Sequence, residues 1–345
     1  MSKGIQRGLI IRALPEVNSL IADRKRDGTP ILGTPNSMVF SKLLINQLNA
    51  HSDAAWLPHV TRDKLEKAHW IVNLCADADE YGQSMHLLAE MLEGLDVPVF
   101  NHPQHVLMSR RDTSAEILKD VPGLIAPQCK RFRPTHPDDF QAVFEQNNFA
   151  YPVILRTWAS QTGTNQIIIE TENDWARIHT IPWGGQFMFM TQWMDFSNEN
   201  GDWVKSRIVV TPEKVGLRHT LIGQNWKVHS GERKEKQIDR ELALTMNPDR
   251  WPHLVKIGEE VRKRIPLTCI GIDVGWKSEE ETILFEANAA MSIIAGGMTP
   301  IYRRLDFATN IHRCEDQILD ALISVTGQPF RKTPAKLFDD LEGAA

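Results

Sequence analysis

The segments Gly271-Ile272-Asp273-Val274 and Leu284-Phe285-Glu286-Ala287-Asn288 hold the residues best suited to chemistry. Side chains two apart on a strand face the same way, so Glu286 and Asn288 point together. A turn at 277–281 brings Asp273 level with them on the partner strand. Three oxygen donors then converge from two rigid strands, which is a ligand set for a hard cation such as magnesium. The neutral Asn288 leaves net positive charge to draw phosphate. Read instead as plain surface acids, Asp273 and Glu286 would need a solvated edge. Ile272, Val274, Leu284 and Phe285 bury at least one face, and buried polar groups are costly unless something satisfies them.

Cationic and imidazole side chains stand at similar strand positions. Arg156 ends the apolar run Tyr151-Pro152-Val153-Ile154-Leu155 just before a small-polar loop, where a guanidinium can hold phosphate oxygens. Its alternative there is a structural ion pair. Lys205 and Arg207 alternate with apolar residues and so face away from Ile208 and Val210. Arg218, His219 and His229 are candidates for substrate binding. A histidine in such a strand can orient an acceptor or take its proton, or simply be a hydrogen-bonded sheet residue. His102 and His105 lack the spacing and acidic partner of a zinc helix.

Alternation of short apolar runs with helical spacing predicts an open α/β unit over residues 1–105. Its strands fall at 8–14, 70–74 and 97–100, and its helices at 35–48 and 85–94. A polar turn containing Asp77, Asp79 and Glu80 follows the second strand. After a helix at 109–119 the strands crowd together, at 151–156, 166–170, 186–193, 204–210 and 216–222. Helices are expected at 137–146, 172–178, 240–247 and 252–264, and a buried hairpin at 269–274 and 282–286. This is α+β with mostly antiparallel sheets, divided here into lobes at 106–185 and 186–326. Residues 327–345 read as a loosely held tail with one short helix near 337–341.

The 345 residues are 42% hydrophobic and 24% charged, with formal net charge −5. That excludes a broad basic face for nucleic acid. No run approaches the about 20 apolar residues of a membrane helix, and no signal peptide is evident. No nucleic-acid or membrane partner is expected, and the expected location is cytoplasmic. Cys75, Cys129, Cys269 and Cys314 form no Cys-x-x-Cys pair and read as reduced core thiols.

Asp273 followed thirteen residues later by Glu286-Ala287-Asn288 resembles the metal site of ATP-grasp ligases, with Phe285 to Asn288 most similar to D-alanine–D-alanine ligases. The resemblance implies an ATP-grasp fold preceded by an N-terminal open α/β (pre-ATP-grasp) domain. Other segments follow in the family's order. Ser109 to Asp112 resembles the start of a helix whose lysine reaches phosphate, which places Arg111 there. The strand ending in Arg156 resembles the one bearing the second phosphate lysine. Residues 160–165, with Ser160 and Gly163, stand where the family has its phosphate-covering loop. Gln192, Trp193 and Met194 resemble the hinge that holds adenine through its backbone. Arg207 matches an arginine of enzymes similar to ribosomal-protein glutamate ligases, where it would neutralise the transferring phosphoryl group.

The resemblance implies ATP with one or two magnesium ions, manganese being able to substitute. Asp273, Glu286 and Asn288 would hold the metal, and Arg156 and Arg207 would act in catalysis. The reaction would activate a carboxylate as an acyl phosphate and join it to an amine. A homodimer built on the N-terminal domain is common among such proteins. The pattern also departs from the family. Both phosphate lysines are arginines, which are not equivalent in reach or hydration. Lys205 stands where an acid commonly binds ribose, unless Asp195 or Asp202 serves, and Gly271 stands where the D-alanine ligases carry an arginine, so no D-alanine dipeptide product is expected. Two alternatives stay open: a peptide or protein substrate in place of free small molecules, and a nucleotide-binding module that has lost turnover.

Overall fold

The computed structural model describes residues 7–16, 21–24, 30–33, 37–38, 40–158, 165–228, 235–290 and 305–332. Four sheets organise them. In the N-terminal unit four strands are parallel, in the order Ser52–Leu57, Gly8–Ala13, Ile71–Asn73, Val99–Phe100. Helix Lys42–His51 starts under the Ser41 hydroxyl, which accepts from the Leu44 amide at 3.3 Å. Helix Gly82–Leu92 buries Met85, Leu88 and Leu92 on one face. A separate ribbon pairs Ile21–Arg24 with Pro30–Gly33. Neither it nor Ser52–Leu57 was expected.

The second sheet is antiparallel, in the order Gln166–Ile169, Val153–Thr157, Met188–Gln192, Cys129–Phe132. Phe140, Val153, Leu155, Ile169, Met188 and Met190 form its core. Met188–Gln192, just past the boundary expected between 185 and 186, is hydrogen-bonded on both sides within this sheet.

The third sheet positions the site. Its order is Val215–Gly223, Trp203–Val210, Ile270–Trp276, Thr282–Asn288, Leu124–Ile125, and only the last pairing is parallel. Helix Pro252–Arg264 lays Leu254, Ile257 and Val261 on its back face. Helix Leu305–Thr326, which lies where the lobe was expected but was not itself predicted, is tied to the sheet by Gln317 Nε2, which donates to Val209 O at 3.1 Å and Lys214 O at 2.8 Å. The N-terminal unit is joined to this sheet through Asn101, whose Oδ1 accepts from the Cys269 amide at 2.9 Å while its carbonyl accepts from Asn73 Nδ2 at 3.0 Å.

The 277–281 turn forms, with the Lys277 amide donating to Glu281 O at 3.1 Å. The four cysteines are free thiols, three of them buried. Among the described residues no helix is long and apolar enough to cross a membrane. The tail helix expected at 337–341 lies outside the described residues.

Candidate active site

Three neighbouring strands place a row of charged groups on one face of the third sheet. Arg207 is directly opposite Asp273, and Asp273 directly opposite Glu286. Between Asp273 and Val274 the ladder slips, because Val274 pairs with Leu284 and Phe285 is left as an extra residue. Such a β-bulge bends its strand and re-aims the side chain beside it; here that side chain is Glu286. Asn288 follows two residues on, opposite Gly271.

Every acid in the row has a cationic partner. Arg207 grips Asp273 as a fork, Nε to Oδ1 at 2.7 Å and Nη2 to Oδ2 at 2.9 Å, and Lys205 Nζ adds a contact to Oδ2 at 2.7 Å. Burial alone would raise the Asp273 carboxyl, but the Arg207 and Lys205 charges outweigh it and hold the group far below the usual carboxylate range. Glu286 receives Arg111 Nη2 at 2.5 Å, and Arg111 also donates to the Phe285 carbonyl. Burial again works against the ionised Glu286, and the Arg111 charge keeps its pKa lowered. Arg111 begins helix Arg111–Leu118, whereas its neighbour Arg110 turns to Asp112 at 2.7 Å.

Arg156 reaches the same place from the second sheet and lines a small polar pocket with Arg110, Arg111, Glu286 and Asn288. Burial and the like charge of Arg111 bring its pKa down to about 10. The wall opposite is the 77–80 turn of the N-terminal unit. There the Asp77 carboxylate accepts the amides of Asp79 at 2.8 Å and Glu80 at 3.0 Å, aiming Asp79 at Arg131 Nε, 3.3 Å away. Burial and the nearby Asp77 push Asp79 up to about 7. Sequence reasoning saw Asp77 and Asp79 only as a turn and missed Arg131. The turn leaves the carboxyl end of a parallel strand, the usual ligand side of an α/β sheet, and that was the available signal.

Beside the row lies an aromatic floor. Phe285 meets Phe196 with ring centroids 4.8 Å apart, and Phe196 meets Trp203 at 4.6 Å. Gly275 makes room for it: a Cβ there would stand 2.4 Å from Phe285 and 2.7 Å from Phe196. The hinge differs in detail from the expectation. The Gln192 amide donates to Gln128 O at 2.8 Å and the Trp193 amide to Pro152 O at 3.2 Å. Both are therefore committed to the protein. Lys205 lies on the same face as Arg207 and contacts Asp273. Ser160, Gly163 and His229 lie outside the described residues. A separate cavity lies beside Arg240, Arg250 and Trp276, and none of the predicted residues lines it.

No family model matches the sequence, and comparison with curated proteins gives no match. Comparison of structures does. The D-alanine–D-alanine ligase of Bacillus anthracis complexed with ATP aligns at TM-score 0.51 and 11% identity, over 98% of this chain and 100% of that one. The VanG D-Ala:D-Ser ligase of Enterococcus faecalis aligns at TM-score 0.51 and 11% identity, over 93% and 100%.

The chain has the ATP-grasp fold.

The row of Arg207, Asp273 and Glu286 lies on the third sheet, and Glu286 lines the pocket to which Arg156 belongs. The residues brought together are Arg111, Arg156, Lys205, Arg207, Asp273, Glu286 and Asn288. Arg218 and His219 stand one strand further out, with His219 opposite Arg207.

Proposed function

We propose that this protein is an ATP- and magnesium-dependent ligase that phosphorylates a carboxylate and passes the acyl group to an amine. The observation that carries the reading is the row itself: the buried Asp273 and half-buried Glu286 carboxylates held among Lys205, Arg207, Arg111 and Arg156 on one face of an ATP-grasp sheet. Four cations against two carboxylates leave an excess of two positive charges, which suits a polyphosphate. The ATP held by the structurally similar B. anthracis ligase supports the nucleotide assignment.

The donor set fits magnesium. Asn288 Oδ1 is buried and has no hydrogen-bond partner among the described residues, an orphan that a cation would satisfy. With Asp273 and Glu286 it makes an all-oxygen set of the kind magnesium takes. When bound, the ion would supply charge neutralisation for the phosphates.

The protein's own part is alignment and charge. Arg111 and Arg156 hold phosphate oxygens of ATP, and Arg207 and Lys205 neutralise the phosphoryl group in flight. A substrate carboxylate oxygen forms the new bond to the γ-phosphorus as the bond to the β-phosphate oxygen breaks and ADP leaves. The amine nitrogen then adds to the acyl carbon, phosphate departs with the electron pair of the C–O bond, and the amine loses its proton.

Turnover is tested by ADP release from mixtures of carboxylates and amines, for wild type and Glu286→Gln. Release is expected from wild type and should fall below detection in the variant, with the fold retained by circular dichroism. Equal release from both would remove Glu286 from the site. Stabilisation of wild type by Mg-ATP with no ADP under any mixture would make the protein a nucleotide-binding module instead.

A further inference from the structure

We infer that the cavity beside Trp276 is a second ligand site, built for an organic monoanion with a flat apolar body. This goes beyond the reaction proposed above and does not depend on it. The cavity encloses about 480 Å³, within the range of small-molecule sites.

Its walls follow from how helix Glu235–Met246 meets the third sheet. The helix runs along the open edge strand, Val215–Gly223. There the Thr220 amide donates to Thr245 Oγ1 at 2.9 Å and the Ile222 amide to Glu241 Oε1 at 2.8 Å. Edge amides that would otherwise stand open are thereby satisfied. With Glu241 and Thr245 spent on the edge, the neighbouring stripe of Arg240, Ala243, Leu244 and Asn247 lines the cavity. Their spacing, i, i+3, i+4 and i+7, is that of one helix face.

The sheet supplies Val204, Ile222 and Trp276. Val204 and Ser206 alternate with Lys205 and Arg207, and so belong to the opposite face from the row. The register from Lys205–Gly275 to Arg207–Asp273 is unbroken, which puts Trp276 on that opposite face too. Trp276 Nε1 accordingly donates to Ser206 Oγ at 2.9 Å, and its ring packs on His253 with centroids 4.9 Å apart. The indole is therefore a fixed wall. The sheet itself stands between the cavity and the row, so an occupant meets neither the phosphates nor the acyl group and is no reactant.

Charge sets the class of ligand. Among the described residues the cavity is lined by three cations, Arg240, Arg250 and Lys277, and by no carboxylate. Arg240 is paired with Asp202, and Lys277 Nζ lies 3.7 Å from Glu281. The Arg250 guanidinium has no partner among the described residues. Three cations against two carboxylates leave one positive charge, at Arg250. Beside it, Asn247 Oδ1 accepts the Asp249 amide at 3.1 Å, which leaves Nδ2 to donate. The Arg250 amide, donating to Asn247 O at 3.0 Å, holds the two residues at the ends of one turn. A single carboxylate or sulfonate accepts from both, while its apolar body lies against Trp276, Leu244 and Val204. A polyphosphate would find only one uncompensated cation here.

The probe is 8-anilinonaphthalene-1-sulfonate, followed by its fluorescence with the full chain. N-phenyl-1-naphthylamine, the same rings without the sulfonate, should bind at least about tenfold more weakly, the scale of a charge-assisted hydrogen bond. Arg250→Met should weaken the sulfonate by a similar factor and leave the neutral compound unchanged. Ala243→Trp, which fills the cavity from an exposed helix position, should abolish binding of both. Saturating Mg-ATP should leave the sulfonate bound. Equal affinity of wild type, Arg250→Met and Ala243→Trp would place the probe elsewhere and overturn the inference. Competitive displacement by Mg-ATP would place it in the phosphate pocket and do the same, as would the absence of any binding to wild type.

Discussion

Asp273→Asn separates the structural from the functional work of the row. The carboxylate is 1% exposed and sits between Arg207 and Lys205, whose side chains are 20% and 18% exposed. The amide keeps the shape but removes the charge, so two largely buried cations lose their counter-ion. Breaking a buried pair by removing one partner costs roughly 3–5 kcal/mol. Partial exposure of both cations puts this case near the lower limit, about 3 kcal/mol, or a fall of roughly 4 °C in the unfolding midpoint of a chain this long. Ligand binding should change in the opposite sense. The positive excess over the site's carboxylates rises from two to three, so ATP in EDTA should bind the variant no more weakly than wild type and restore much of the lost stability. Magnesium should then add nothing, whereas in wild type it tightens binding. Differential scanning fluorimetry and calorimetric titration, each with and without magnesium, read the two effects independently. A variant as stable as wild type, with an undiminished magnesium-dependent gain in ATP affinity, would refute the charge-balance reasoning.

Two further consequences concern the walls of the site. Asp79, pushed up to about 7 by burial and Asp77, is protonated in the folded protein between about pH 4 and pH 7, where the unfolded chain has already released the proton. Stability should therefore fall as pH rises through that window, by up to about 4 kcal/mol, and level off above it; Asp79→Asn should flatten the urea-midpoint profile, and an unchanged slope would count against the shift. Gly275→Ala drives a methyl into Phe285 and Phe196, which should cost about 1–3 kcal/mol in urea titrations by overpacking and weaken Mg-ATP binding by displacing the bulge beside Glu286; wild-type stability and affinity would mean that the aromatic floor yields freely.

What sequence reasoning reached and what it missed follow one physical divide. The strands of the third sheet carry β-branched and apolar residues at period two, and the acids stand out because they interrupt buried runs. Signals of that kind are local, and they are what single out Asp273, Glu286 and Asn288. Ser52–Leu57, reading Ser-Asp-Ala-Ala-Trp-Leu, has weak strand propensity and forms because its backbone pairs in parallel with Gly8–Ala13. Cys129–Phe132 carries Lys130 and Arg131, a charged pattern tolerated at a sheet edge. Buried Asn310 and Gln317 interrupt the apolar stripe of Leu305–Thr326, and both use their amides on the backbone of the third sheet. The pairing of Asp79 with Arg131 joins residues 52 apart across two sheets, and no local pattern announces it. The two bulges are the most telling omission. Each is a single extra residue, Phe285 or Arg218, chosen by how the ladders close, and each turns a side chain of the row. Local chemistry therefore points to the groups of the row, while their directions are set by long-range register.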